Sequence, residues 1–129
     1  MPRPQFLNDL VTGTAGVVAA IHVSPEGLVL GTSPGIDTSE ADHWAAVMAA
    51  LNAASRHSSD IIGRRTGDSS PWGHAVVEDR FGRTLILVGA SDGSMLAVVC
   101  ATTDNSHLGE IAFRLVQLAD DGLAVAVAA

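Results

Sequence analysis

Leu7-Asn8-Asp9-Leu10-Val11, Gly16-Val17-Val18-Ala19-Ala20-Ile21 and Ser24-Pro25-Glu26-Gly27-Leu28-Val29-Leu30 decide the fold of this chain. Phe6, Leu7, Leu10 and Val11 recur at helical spacing, and Pro4 suits a first helical turn. Gly13 and Gly16 end that short helix, read over residues 5–12. Val17 to Val23 is apolar at both alternating sets of positions, as in a strand covered on two faces. Pro25-Glu26-Gly27 carries turn chemistry. Leu28 to Thr32 then returns as the second arm of a hairpin, closed by Ser33-Pro34-Gly35.

The next long periodic segment runs from Asp37 to about Ile62. Asp37, with Glu40 three residues on, matches a helix-start signal. Such a helix spans roughly 39 Å at about 1.5 Å per residue. Trp44, Met48, Leu51 and Ser55 trace one stripe, widened by Val47 and Ala54. Much of the remainder is Ala or Ser, which lets another backbone approach closely and equally reflects plain helix propensity. Gly63 to Pro71 reads as an irregular loop carrying Arg64 and Arg65.

Three strands follow. Trp72 to Asp79 alternates Trp72, His74, Val76 and Glu78 on one face with Gly73, Ala75, Val77 and Asp79 on the other. Its polar content marks an edge or interface strand. Arg80-Phe81-Gly82 turns into Thr84 to Val88, a doubly apolar strand. Ser91-Asp92-Gly93-Ser94 is a hairpin signal, because Asp-Gly tolerates positive φ. Met95 to Ala101 is the fifth strand. Asp104 or Asn105 caps a last helix with Leu108, Ile111, Ala112, Leu115, Leu118 and Ala119 on its apolar side. Gly122 stops it, and residues 122–129 form an apolar tail.

The order is therefore αββαβββα. Hairpins join three strand pairs, so the sheet is mostly antiparallel. Its doubly apolar strands call for helices on both faces, an α/β sandwich in a single domain over residues 1–129.

Composition narrows the function classes. The 129 residues are 47% hydrophobic and 16% charged, which supports a core built mainly of Val, Leu, Ile and Ala. All seven basic residues are arginine, which removes lysine Schiff bases and a P-loop lysine. A net charge of −7 argues against nucleic acid and anionic membrane surfaces. The single cysteine, Cys100, lies in an apolar run and reads as a buried hydrophobe. No apolar leader follows Arg3 and no apolar run is long enough to span a membrane, so a cytoplasmic location is expected.

Catalytic and metal patterns are missing. His22, His43, His57, His74 and His107 fall on different elements or, for His43 and His57, roughly 21 Å apart along one helix. No G-x-x-x-x-G-K-[ST] or G-x-G-x-x-G occurs. No enzyme activity, cofactor or metal is expected. Trp44 and Trp72 read either as core residues or as interface anchors, since one opens the long helix and the other the edge strand.

The helix-to-hairpin opening, the order of elements and the ending Thr102-Thr103-Asp104-Asn105-Ser106-His107-Leu108-Gly109-Glu110 together resemble the Roadblock/dynein light-chain domain family, in its bacterial MglB-like, actinobacterial form. The resemblance runs over nearly the whole chain. Ala15 departs from it, since the family often has proline before this glycine. The resemblance implies a five-stranded sheet of order 2-1-5-4-3, the long helix on one face and both terminal helices on the other. It also implies a homodimer that pairs the third strands and lays the long helices antiparallel. Trp44, Met48, Leu51, Ser55, Trp72, His74, Val76 and Glu78 would then lie at or near the twofold axis.

The resemblance further implies a non-enzymatic regulator of a small Ras-like GTPase, acting on its switch regions, with a sensor-kinase-like protein as a further partner. Glu40, His43, Arg56, His57 and Asp60 form the candidate partner-binding set on the long helix. Two other classes stand beside this reading: a pure protein–protein scaffold, and a small-ligand sensor of the PAS or GAF kind. The last needs a pocket.

Overall fold

In the computed structural model, residues 5–68, 74–90, 92–101 and 109–118 are described. The elements are α1 (Gln5–Gly13), β1 (Val17–Val23), β2 (Val29–Thr32), α2 (Thr38–Thr66), β3 (His74–Glu78), β4 (Thr84–Gly89) and β5 (Met95–Cys100). A last helix, α3, covers residues 109–118. Trp72, the expected cap at Asp104 or Asn105 and the apolar tail lie outside the described residues.

The five strands form one sheet of order β2-β1-β5-β4-β3, every neighbouring pair antiparallel. Both β1–β2 and β1–β5 carry a register shift, at His22/Val23 and at Val17/Ala19. Turn residues close the hairpins as their chemistry requires. Gly27 and Gly93 sit at φ +88° and +87°, where a Cβ is strained.

Strand alternation splits the core in two. On one face Leu7 and Leu10 of α1 and Ile111, Ala112 and Leu115 of α3 cover Val17, Ala20, Ile86, Val88, Leu96, Val98 and Cys100. On the other, Ala45 and Met48 of α2 pack on Ile21, Val23, Leu85, Leu87, Met95 and Ala97. Cys100 is fully buried, and burial pushes its thiol pKa up, as a structural hydrophobe requires.

The long helix corrects the sequence expectation at its end. Asp37 is its N-cap, accepting from the Glu40 backbone N–H at 2.8 Å. The helix does not stop at Ile62. It continues through Gly63, Arg64 and Arg65 to Thr66, and Gly67 closes it at φ +81° with its N–H donating to the Gly63 carbonyl. A helical glycine costs only about 1 kcal/mol, so Gly63 is crossed, and the left-handed cap falls at the next glycine. Arg64 and Arg65 therefore lie in the last turn, where the carbonyl end of the helix favours cations.

Candidate functional site

β3 is an edge of the sheet, bonded to β4 along His74↔Val88 through Glu78↔Thr84 and, among the described residues, to no other strand. His74, Val76, Val77 and Glu78 are exposed, and Val76 and Val77 are 46% and 47% accessible on opposite faces of the strand. A β-branched pair exposed on both faces of an edge strand is an association surface by default.

Beside that edge runs an apolar groove of about 460 Å³ between α2 and the sheet. Trp44, Val47 and Leu51 form its helix wall, and Val77, Leu85 and Val99 its floor. Asp79 and Arg83 close one end. Arg83 donates from Nε to Asp79 Oδ2, and its guanidinium carbon lies 5.6 Å from the Phe81 ring centroid. The Trp44 indole Nε1 donates to Glu40 Oε2 at 3.1 Å, which fixes the ring along the helix.

The expected interface set separates into several environments. Trp44, Leu51 and Ser55 are half-buried, and the first two line the groove. His74, Val76 and Glu78 lie on β3, as read. Met48 is fully buried in the chain's own core and has no surface to offer. Trp72 is outside the described residues. Val47, Ile61 and Ile62 are the large apolar residues exposed on α2 among those described, at 44%, 48% and 60%. Val47 widened the stripe in the sequence. Ile61 and Ile62 were missed because the helix was read as ending there.

The second set, Glu40, His43, Arg56, His57 and Asp60, is exposed throughout. At 100° per residue these five positions spread around the solvent side of α2 and do not form one narrow patch. Arg56 is held by its own helix, donating from Nε to Asn52 Oδ1 at 3.3 Å.

One buried polar cluster lies away from this surface. Ser94 Oγ donates to Asp92 Oδ1 at 2.6 Å and therefore accepts from His22 Nε2 at 3.0 Å. That assigns the proton of the neutral ring to Nε2 and leaves Nδ1 buried with no hydrogen-bond partner among the described residues. The Phe6 ring meets the imidazole edge-on, with centroids 6.0 Å apart. Burial holds the His22 pKa below its ordinary value, opposed by the Asp92 charge. Asp92 is itself lowered, chiefly by the Ser94 hydroxyl. The cluster ties β1 to the β4–β5 turn beneath α1. Its serine is 1% exposed and held by a turn aspartate.

Among the described residues no three His, Cys, Asp or Glu side chains come together as a metal site. Nor is any helix among them long and apolar enough to cross a membrane.

A Roadblock/LC7 domain from Streptomyces avermitilis is 28% identical to this chain, with 91% of this chain and 93% of that one aligned at a TM-score of 0.72. The gliding protein MglB of Thermus thermophilus is 17% identical, covering 92% and 88%, at a TM-score of 0.65. An MglB with tetrameric arrangement is 18% identical, covering 91% and 87%, at a TM-score of 0.63. At those identities the MglB structures show a shared fold. No curated protein sequence matches the chain significantly. The sequence profile of the Roadblock/LC7 domain matches residues 5–70, just over half of the chain, and with that match the chain belongs to the Roadblock/LC7 domain family.

Proposed function

We propose that this chain is a non-enzymatic, homodimeric regulator or adaptor of a small Ras-like GTPase in the cytoplasm. The observation that carries the reading is the β3 edge, unpaired among the described residues, running beside the exposed flank of α2. An exposed edge and an apolar groove on one side of the molecule form a surface that a second copy covers by continuing the sheet. The likeness to MglB folds supports a GTPase as the onward partner. The outward side of α2, with Glu40, His43, Arg56, His57 and Asp60, is the proposed contact for the switch regions. Binding one nucleotide state of the GTPase more tightly would shift its population toward that state. The partner brings its own P-loop and magnesium, consistent with the absence of any lysine here.

Light scattering of the purified protein with the GTPase encoded nearest its gene tests both parts. The protein alone is expected at about twice the 13.2 kDa chain mass. It is expected to bind the GTPase loaded with GDP or with a non-hydrolysable GTP analogue, but not both equally. A dimer that binds neither form would leave a scaffold for other proteins, including a sensor-kinase-like protein. A monomer would remove the homodimer.

A further inference from the structure

Among the described residues, His22 and Cys100 are the only ionisable side chains that are buried. His22 lies on β1 between Leu96 of β5 and Gly31 of β2, its register partners. Gly31 offers no side chain, and the cover over the imidazole comes from α1, whose Phe6 ring meets it edge-on. α1 lies along β1 as a lever. Its far corner is fixed: the Thr14 carbonyl accepts from the Val17 N–H, the Gly16 carbonyl from the Ala101 N–H, and Thr14 Oγ1 from Arg114. Gly13, with open space where a Cβ would stand, links the helix to that corner. The other end, with Phe6, rests over His22. Between them Leu7 and Leu10 are buried against the sheet. No acid in the first turn and no base in the last supports α1 by itself.

We propose that α1 is an acid-released cover: when His22 takes up a proton, the Phe6 end of α1 lifts off the sheet about Gly13, while the strands and α2 stay in place. The physical reason is the supply of acceptors. The neutral ring donates from Nε2 to Ser94 Oγ. A second proton must go to Nδ1, which has no acceptor among the described residues. A buried imidazolium with an unpaired N–H is costly. Few charges are placed to offset it. The β4–β5 turn brings Asp92, whose Oδ1 is engaged by the Ser94 N–H and hydroxyl on the Nε2 side. α1 brings Asp9 and the β1–β2 turn brings Glu26, both exposed. β1, β2, β4 and β5 bring no other charge. From α3, Glu110 and Arg114 lie at the Thr14 corner, at the other end of α1. Burial outweighs the attraction of Asp92 and keeps the covered ring neutral. β1 and β5 are each hydrogen-bonded to a strand on both sides, whereas α1 rests on this site through side-chain packing. It is therefore the neighbour that moves at least loss. Its lifting hands the new N–H to water and uncovers Leu7, Leu10 and the apolar sheet face beneath them.

Backbone hydrogen exchange of the purified chain at pH 7.5 and 5.5, each corrected for the intrinsic rate at that pH, tests the cover. Opening of α1 is expected to rise by up to about tenfold across that interval, since an imidazole freed to water titrates near 6.5. The amides of β4, β5 and the first half of α2 are expected to keep their protection. His22→Gln retains an amide donor for Ser94 and does not titrate, so its α1 should exchange alike at both pH values. The His22 ring resonance in NMR gives a reading that needs no variant, and its titration should track the exchange of α1. Loss of protection spread evenly over α1 and the sheet overturns the cover. So does α1 exchange that is the same at both pH values, or that does not follow the His22 titration. An equal rise in His22→Gln assigns the change to another group and overturns it as well.

Discussion

The two halves of α2 are one continuous helix in two different surroundings. In the first half Ala41, Ala45 and Met48 sit against the sheet, and Met48 is completely enclosed. From Asn52 to Thr66 no residue is buried, yet the helix runs on without a break to its glycine cap. Tertiary contact therefore explains the first half and not the second. What marks the outer half locally is its continuity with the first half, two arginines in the last turn and a left-handed glycine stop. Among the described residues, this half projects two isoleucines, 48% and 60% exposed, beyond the core.

That contrast can be broken by substitution. The largest effect is expected for Met48→Ala, which empties a closed site between α2 and the sheet. It should cost about 2–5 kcal/mol in urea unfolding, independent of protein concentration. If it costs no more than a surface change, the first half is not anchored as described.

The next effect comes from the opposite face of the sheet, where His22 is buried neutral. Its folded pKa lies below the ordinary 6.5, so the unfolded chain takes up a proton first as pH falls. The stability held by the neutral ring is complete above about pH 6.5–7 and is lost as pH drops below it. The limiting slope from this one group is about 1.4 kcal/mol per pH unit. His22→Gln should flatten that dependence in unfolding measurements between pH 7 and 5. The same slope in wild type and variant would show that His22 is not the group responsible.

Smaller again is the helix start. Asp37→Ala removes the acceptor for the Glu40 N–H and is expected to cost about 1 kcal/mol, read as a lower urea midpoint. The smallest effect within the monomer is Ile62→Ala. At low concentration it should stay within about 0.5 kcal/mol. Its cost should grow with concentration only if copies associate through this half, since association adds stability by mass action. A large cost at high dilution would mean that the outer half is packed within its own chain.

Much of the fold was legible because hairpins and two-sided strands are written locally. Val17 to Val23 was bounded correctly by its apolar run, and Asp92-Gly93 marked the β4–β5 turn. The strand order was legible only through family resemblance, since periodicity alone fixes neighbours joined by hairpins and not the β1–β5 pairing. The candidate site was half legible. The polar alternation of β3 marked it as an edge, and the edge is where it stands. Of the stripe read on α2, Trp44, Val47 and Leu51 line the groove, while Met48 faces into the core, and Ile61 and Ile62 were passed over.

The sequence by itself determined where strands, turns and the start of α2 fall, because those depend on neighbours a few residues apart. It also excluded lysine chemistry and the familiar nucleotide loops. Which side of α2 is covered was decided only in the tertiary structure. Alanine lies on nearly every side of that helix, so its pattern points weakly in any one direction. The position of the sheet beneath it puts Met48 inside and leaves Val47 at the mouth of the groove.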